Sequence, residues 1–258
     1  MNDTDLVALQ HTLYNSRNAT RQWLHNTRRE WISHAIRRFC PQGGCALEIG
    51  PGSGIYIPVL RQVCDEVHVS DREREYLSAI EKTYASDSRV RLLIDDITRS
   101  NLPSGHFDLV LCTEVIEHIA DSRAALRHIA RVLKPNGFLL LSTPQRYSFL
   151  ELTAQLALSP WMIGLTRLVY REPVLDMGHI NLMTAATVQA QLAEAHLAIL
   201  EHYKTGLYLP GIAEFCGSVG QRLASHLERK IRHTRLDCLL WTQYYVTTPR
   251  HSKQLTAA

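Results

Sequence analysis

The sequence has little that would staple, anchor or extend it. Its six cysteines (Cys40, Cys45, Cys64, Cys112, Cys216 and Cys238) are scattered over 258 residues with no Cys-x-x-Cys pair. A chain of this length buries enough apolar surface to fold without disulfides. Reduced thiols in a cytoplasmic protein are therefore expected, and a structural zinc site is not. The first residues, MNDTDLVALQ, lack a basic segment followed by an apolar one, so no signal peptide is expected. No uninterrupted apolar run approaches the roughly 18 residues that a membrane span needs. The nearest, Phe149 to Tyr170, is broken by Glu151, Gln155, Pro160 and Arg167. There is no internal repeat and no low-complexity tract. A net charge of +3 is too small by itself to argue for a nucleic-acid partner. What is present, 45% hydrophobic and 21% charged residues, is an ordinary globular composition of the size of one α/β domain.

The chain then divides by rhythm. Residues 10–40 read as helical, with Leu24, Trp31, Ala35 and Ile36 at helical spacing and Arg21, Arg28, Arg29 and Arg38 around them. Cys40-Pro41-Gln42-Gly43-Gly44 breaks this pattern. Strand candidates follow at 45–49, 66–70, 90–94, 107–112 and 137–142, with helical stretches at 54–64, 73–84, 115–119 and 122–133. Lys134-Pro135-Asn136-Gly137 reads as a turn that launches the fifth strand. Short buried strands alternating with helices predict an α/β fold with a parallel sheet covered on both faces. Past Pro144, residues 147–170 are apolar and helical, and a polar loop carries Asp176, Gly178, His179 and Asn181. Thr184 is placed to cap a helix to about Leu197. A strand near 198–203, a basic helix near 213–233 and a last strand near 238–247 complete the chain. The expectation is a single domain: an N-terminal helical cap (1–44), a cofactor-binding core (45–145), a lid insertion (146–183) and a C-terminal part of the sheet (184–258).

Ala46-Leu47-Glu48-Ile49 is a buried strand that runs into Gly50-x-Gly52-x-Gly54. Glycines are wanted where a backbone turns tightly and approaches a ligand without Cβ obstruction. Glu48 is placed to order that loop or to meet a cationic ligand. Asp71 ends the second strand about twenty residues on, where a carboxylate accepts ribose hydroxyls. Asp95, Asp96 and Ile97 close the third strand, within reach of an adenine amino group. All fall at the carboxyl ends of strands, where open α/β sheets bind ligands.

Leu47 to Gly54, Asp71, Asp96, Phe107-Asp108-Leu109-Val110-Leu111-Cys112-Thr113-Glu114 and Leu133-Lys134-Pro135-Asn136-Gly137 resemble the ordered motifs of class I S-adenosylmethionine-dependent methyltransferases. The resemblance covers residues 45–145. It implies a Rossmann-like, seven-stranded, mostly parallel sheet with an antiparallel last strand, and S-adenosylmethionine as cofactor. It places Gly50, Gly52 and Gly54 along the methionine moiety, Asp71 at the ribose, and Asp95 or Asp96 with Ile97 at the adenine; Glu48 and Thr113 are also expected among the cofactor-binding residues. Family members have glycine where this chain has Asp95, so either aspartate is a candidate.

Thr113-Glu114-Val115-Ile116-Glu117-His118 follows the fourth strand. If it opens a helix, Glu114, Glu117 and His118 share one face at positions i, i+3 and i+4. Two carboxylates and an imidazole there suit a divalent metal (Mg, Mn, Fe or Zn), or they are helix-start carboxylates beside a core histidine. Asp176 to Thr184 resembles a segment of ubiquinone-pathway O-methyltransferases and of small-RNA 2′-O-methyltransferases. That resemblance implies a metal set of Glu114, Glu117, His118 and His179, with His118, His179 and Glu114 as catalytic groups. Without metal, His118 or His179 is the general base. The apolar 147–170 stretch implies a hydrophobic acceptor, a membrane-surface contact, or packing on the sheet or a second copy. Tyr14, Arg17, Asn18, Arg21, Trp23, His25, Arg28 and Arg29 suit a helix that caps the cofactor pocket with solvated arginines, or one that grips an anionic acceptor. The expected reaction is O-methylation of a hydrophobic or aromatic small molecule; N- or C-methylation, RNA modification and cofactor binding without catalysis are the alternatives.

Overall fold

A computed structural model describes residues 14–16, 18–157 and 179–250. Seven strands form one sheet: β1 (Gly44–Ile49), β2 (Cys64–Asp71), β3 (Val90–Ile94), β4 (Phe107–Thr113), β5 (Leu133–Pro144), β6 (Leu197–Thr205) and β7 (Thr242–Pro249). Their spatial order is β3-β2-β1-β4-β5-β7-β6. The first five are parallel, and β7 lies antiparallel to both β5 and β6. The fold is the expected Rossmann-like α/β arrangement with an antiparallel closing strand.

The central strands are apolar on successive residues because both faces are covered. Leu109, Val110, Leu111 and Cys112 of β4 are fully buried, as are Leu139, Leu140 and Leu141 of β5. Odd and even positions feed two separate cores. One contains Leu47, Val110, Cys112, Leu139 and Leu141, under α4 (Ser122–Val132) and α6 (Ala185–Glu194). The other contains Ala46, Leu109, Leu111, Leu140 and Tyr244, under α1 (Ala19–Phe39), α2 (Ile57–Val63) and α3 (Arg74–Tyr84). The expected cap of α6 is present, since the Thr184 hydroxyl accepts from Thr187 N–H at 3.2 Å.

Several expectations need correction. The helix expected over 115–119 is a single 3₁₀ turn, Ile116–His118. The basic helix is two pieces, α7 (Ile212–Phe215) and α8 (Gly217–Ile231), broken at Cys216. Residues Arg235–Leu239 form a 3₁₀ turn, so the last strand starts four residues later than expected, at Thr242. The Lys134–Gly137 turn lies inside β5, as an irregularity between the Phe107–Leu133 and Leu109–Phe138 pairings. Of the expected lid, only its first helix, α5 (Phe149–Ala157), and the returning residues from His179 onward are described. Arg17, Asp176, Met177, Gly178 and the apolar side chains from Leu158 to Tyr170 lie outside the described residues. Among the described residues, no helix is long and apolar enough to cross a membrane.

Leu111 is fully buried at the centre of the sheet. Leu111→Ala is expected to cost about 2–5 kcal/mol. Denaturant melts should show it as a lower midpoint at unchanged slope.

Candidate active site

The carboxyl end of β1 turns sharply. Gly50, Gly52 and Gly54 all have positive φ, at 62°, 54° and 72°, a region that costs glycine nothing. Space matters as well as dihedral. A Cβ on Gly50 would come within 2.6 Å of Val115 Cγ2, and one on Gly54 within 2.9 Å of Ile57 Cδ1. The loop therefore lies flush against the segment after β4. Beneath it, both Glu48 carboxylate oxygens are buried without a hydrogen-bond partner. Burial pushes that carboxyl up to about 8.

The neighbouring strand ends carry the other expected residues. Asp71 at the end of β2 accepts from Glu73 N–H at 3.0 Å, and burial raises its carboxyl. The two aspartates after β3 are used differently. Asp96 Oδ1 accepts from both Thr98 N–H (3.0 Å) and the Thr98 hydroxyl (2.7 Å), capping the 3₁₀ turn Ile97–Arg99. Asp95 Oδ2 is buried and unpartnered. Ile97 is buried in the core below them. Thr113 ends β4, paired with Ser142 of β5.

Glu114 departs from its expected place. Its φ is +56°, a conformation rare outside glycine and concentrated at functional sites. A residue in that conformation cannot be the first of a helical turn, so the i, i+3, i+4 relation fails. Instead Glu114 Oε2 accepts from Arg28 Nη1 at 2.5 Å, and Oε1 accepts from the Ser142 hydroxyl at 2.8 Å. Arg28 is itself buried, lying over the Trp241 ring at 5.0 Å and 3.1 Å from His25 Nδ1. Burial works against its charge, but Glu114 together with Tyr14, Tyr56 and Tyr244 outweighs burial and holds the guanidinium ionised.

Glu117 and His118 meet a different partner. One ligand atom each from Glu117, His118 and His179 lie within 4.8 Å of one another. The ring centroids of His118 and His179 are 5.2 Å apart. Main-chain bonds bring His179 there: Ile180 N–H and Asn181 N–H both donate to Glu117 C=O, at 3.0 and 2.9 Å. The Asn181 side chain donates to Ile119 C=O at 3.0 Å. Glu117 is fully buried; one oxygen accepts from the Thr143 hydroxyl at 3.0 Å and the other has no partner. Burial, then the nearby Glu114 charge, pushes its carboxyl well above the usual range. His179 Nδ1 lies 3.2 Å from Glu151, whose other oxygen accepts from Trp241 Nε1–H at 3.0 Å. A carboxylate behind an imidazole orients the ring and leaves Nε2 to face the site.

Of the four residues expected together, the structure brings Glu117, His118 and His179 close and pairs Glu114 with Arg28 instead. Sequence reasoning missed Arg28 as a buried partner, taking the arginines of α1 for solvated ones. The signal was present: Thr20, Leu24, Arg28, Ile32 and Ile36 form one buried stripe at four-residue spacing. It also missed Glu151, noted only as a charge that interrupts an apolar run.

A family model described as a methyltransferase domain matches residues 23–202. The chain belongs to this methyltransferase domain family. Among curated proteins, the methyltransferase is 32% identical over 128 residues to a ubiquinone biosynthesis O-methyltransferase of Xanthomonas axonopodis, 48% of this chain and 51% of that one. It is 30% identical to the mitochondrial ubiquinone biosynthesis O-methyltransferase of Schizosaccharomyces pombe, over 48% of this chain and 46% of that one. The chain thus spans about half the length of these curated relatives. An S-adenosylmethionine-dependent methyltransferase of Clostridium acetobutylicum has a similar structure, with a TM-score of 0.61, 13% identity, and coverage of 96% of this chain and 99% of that one. One from Aquifex aeolicus has a TM-score of 0.54 at 13% identity, covering 83% and 88%. At these identities the likeness is one of fold.

Two predictions follow from the buried charges. Arg28→Met leaves the part-buried Glu114 without its cation and is expected to destabilise the methyltransferase by about 1–3 kcal/mol. Adding Glu114→Gln should recover part of that loss in the same melts. For Glu48, the folded pKa of about 8 lies above the ordinary carboxyl value of 4.5, so the unfolded chain releases this proton first. Without ligand, stability should then fall as pH rises through that window and level off above it. Glu48→Gln should abolish this slope and gain up to about 5 kcal/mol at the alkaline end, at about 1.4 kcal/mol per pH unit.

Proposed function

We propose that this methyltransferase transfers the methyl group of S-adenosylmethionine to an oxygen of a hydrophobic or aromatic small molecule, at a site made by Glu117, His118 and His179. The observation that carries this reading is the buried, unpartnered Glu117 oxygen grouped with two imidazoles at the carboxyl edge of the sheet.

The donor fits the residues present. The glycine turn is held in a conformation and packing that only glycine allows, and the unpartnered Glu48 and Asp95 oxygens suit a ligand with cationic groups and an amino group. Asp71 is assigned to the ribose and Ile97 to one adenine face. Asp95 is favoured over Asp96 for the adenine side, because Asp96 is occupied as a cap. Thr113 closes the site beside the sulfonium. When bound, S-adenosylmethionine supplies an electrophilic methyl carbon whose transfer is an in-line displacement. The protein's task is then positioning and proton removal.

Glu117, His118 and His179 also fit a divalent cation: a carboxylate and two imidazoles, with sites left open, form a common ligand set for such ions. The ion would supply Lewis acidity that lowers the pKa of an acceptor hydroxyl. Glu114 is outside this set, because its charge is already met by Arg28. A second reading rests on the Glu151–His179 contact. There, a carboxylate-oriented His179, or the adjacent His118, accepts the hydroxyl proton directly as general base. An apolar acceptor is supported by the names of the curated relatives and by Leu152 and Leu156, which α5 leaves exposed.

The test supplies methyl-labelled S-adenosylmethionine and cell extract, with and without EDTA, and fractionates the label. Label in alkali-stable apolar small molecules is expected; label in RNA, or none despite tight donor binding, would overturn the proposal. EDTA sensitivity selects the metal reading and insensitivity the general-base reading. Glu117→Ala should lower turnover by roughly 100-fold or more while donor affinity stays within about twofold of the parent. Under the metal reading, Glu151→Gln should weaken the ion's affinity by about 10–100-fold, read by titrating activity with the added cation.

A further inference from the structure

The opposite, amino-terminal edge of the sheet carries a second cluster that the methyl-transfer site does not use. Cys45 lies at the start of β1, Glu66 and His68 lie on β2, and His106 immediately precedes β4. One ligand atom from each of these four residues lies within 4.8 Å of the other three. The β1–β2 register sets Cys45 opposite Glu66. His68, two residues on, projects from the same face of the pleat. The His68 and His106 rings meet edge to face at 5.7 Å, both against Phe107. His68 Nε2 is 3.2 Å from Glu66 Oε2, while His68 Nδ1 is buried with no hydrogen-bond partner.

We propose that Cys45, Glu66, His68 and His106 form a structural site for a zinc-like divalent ion. Thiolate, imidazole and carboxylate are the donors that zinc takes, and four of them complete a tetrahedron. Bond lengths of about 2.0–2.3 Å put the ligand atoms of such a tetrahedron roughly 3.3–3.8 Å apart. The observed envelope of 4.8 Å therefore closes with side-chain movements of about an ångström. The place in the fold gives the ion a role. Between β3 and β4 the chain forms only the 3₁₀ turn Ile97–Arg99, so no crossover helix covers this part of the sheet. A polar cluster fills the position, and an ion there would tie β1, β2 and the entry to β4 together. The nearby charges are mixed: Arg91 approaches Glu66 at 3.6 Å from a largely exposed position, and Asp108 accepts from Cys45 N–H at 2.9 Å and from Lys134 at 2.7 Å. Cysteine spacing could not reveal the site, because it uses a single thiol.

Cobalt(II) titration of the full chain, stripped of metal by chelation, tests the proposal. It should give a thiolate-to-cobalt charge-transfer band saturating at one ion per chain, together with the intense visible bands of tetrahedral cobalt, and zinc should displace both. The Glu117, His118 and His179 group has no sulfur, so Glu117→Gln should leave the band intact. Cys45→Ser should abolish it, and His106→Ala should weaken cobalt affinity by at least about tenfold. In the Glu117→Gln background, which removes the other candidate ion site, added zinc should raise the melting temperature; adding His106→Ala should remove that rise, and the metal-free melt of this double variant checks that it is folded. No charge-transfer band, a band that survives Cys45→Ser, or a band lost in Glu117→Gln would overturn the assignment.

Discussion

A parallel sheet covered on both faces has only its two edges left for chemistry. That constraint organises this molecule. The pleat sends alternate residues of β4 and β5 into two apolar cores, so the middle of these two strands carries no charged group. Polar groups collect where strands end. Glu48, Asp71, Asp95 and the Glu114–His118 turn lie at the carboxyl edge, where crossover loops leave a crevice for ligands. The group of Cys45, Glu66, His68 and His106 lies toward the other edge, where a short crossover leaves the sheet without a helix.

At the carboxyl edge the carboxylates are sorted by what already meets them. Glu114 is neutralised by Arg28 and held by Ser142. Asp96 is spent on a cap, and Asp71 accepts one backbone bond. Glu48, Asp95 and Glu117 keep buried oxygens without partners. Such oxygens are costly unless a ligand, ion or proton meets them. The raised carboxyls of Glu48 and Glu117 express the same cost. This unmet demand, more than the presence of acidic residues, supports the donor and acceptor positions proposed above.

The Arg28–Glu114 pair also couples layers of the fold. Arg28 sits midway along α1, whose Ile32, Ala35 and Ile36 pack into the core beneath β1 and β4. Its guanidinium reaches the turn after β4 and lies over Trp241, which precedes β7 and donates to Glu151. Glu151 in turn contacts His179. One chain of contacts thus joins the N-terminal helix, the turn after β4, the segment before β7 and the returning lid. Glu114, Glu117 and His179 each meet a side chain from an element distant in sequence.

The sequence by itself determined the strand order class and the cofactor turn, because both rest on local signals. Alternating short apolar runs and helices specify a parallel sheet, and three glycines after a buried strand specify a tight turn with positive φ. Spacing set Glu117 beside His118, a family resemblance added His179, and the structure brings the three side chains together. Only the tertiary structure decided that Glu114 is outside the group. That outcome depends on a positive φ at a non-glycine residue and on an arginine 86 positions away, and neither leaves a periodic trace. It alone separated Asp95 from Asp96, since a cap and an orphaned oxygen look the same as two adjacent letters. And it alone gathered Cys45 with Glu66, His68 and His106, because strand register, not spacing along the chain, makes them neighbours.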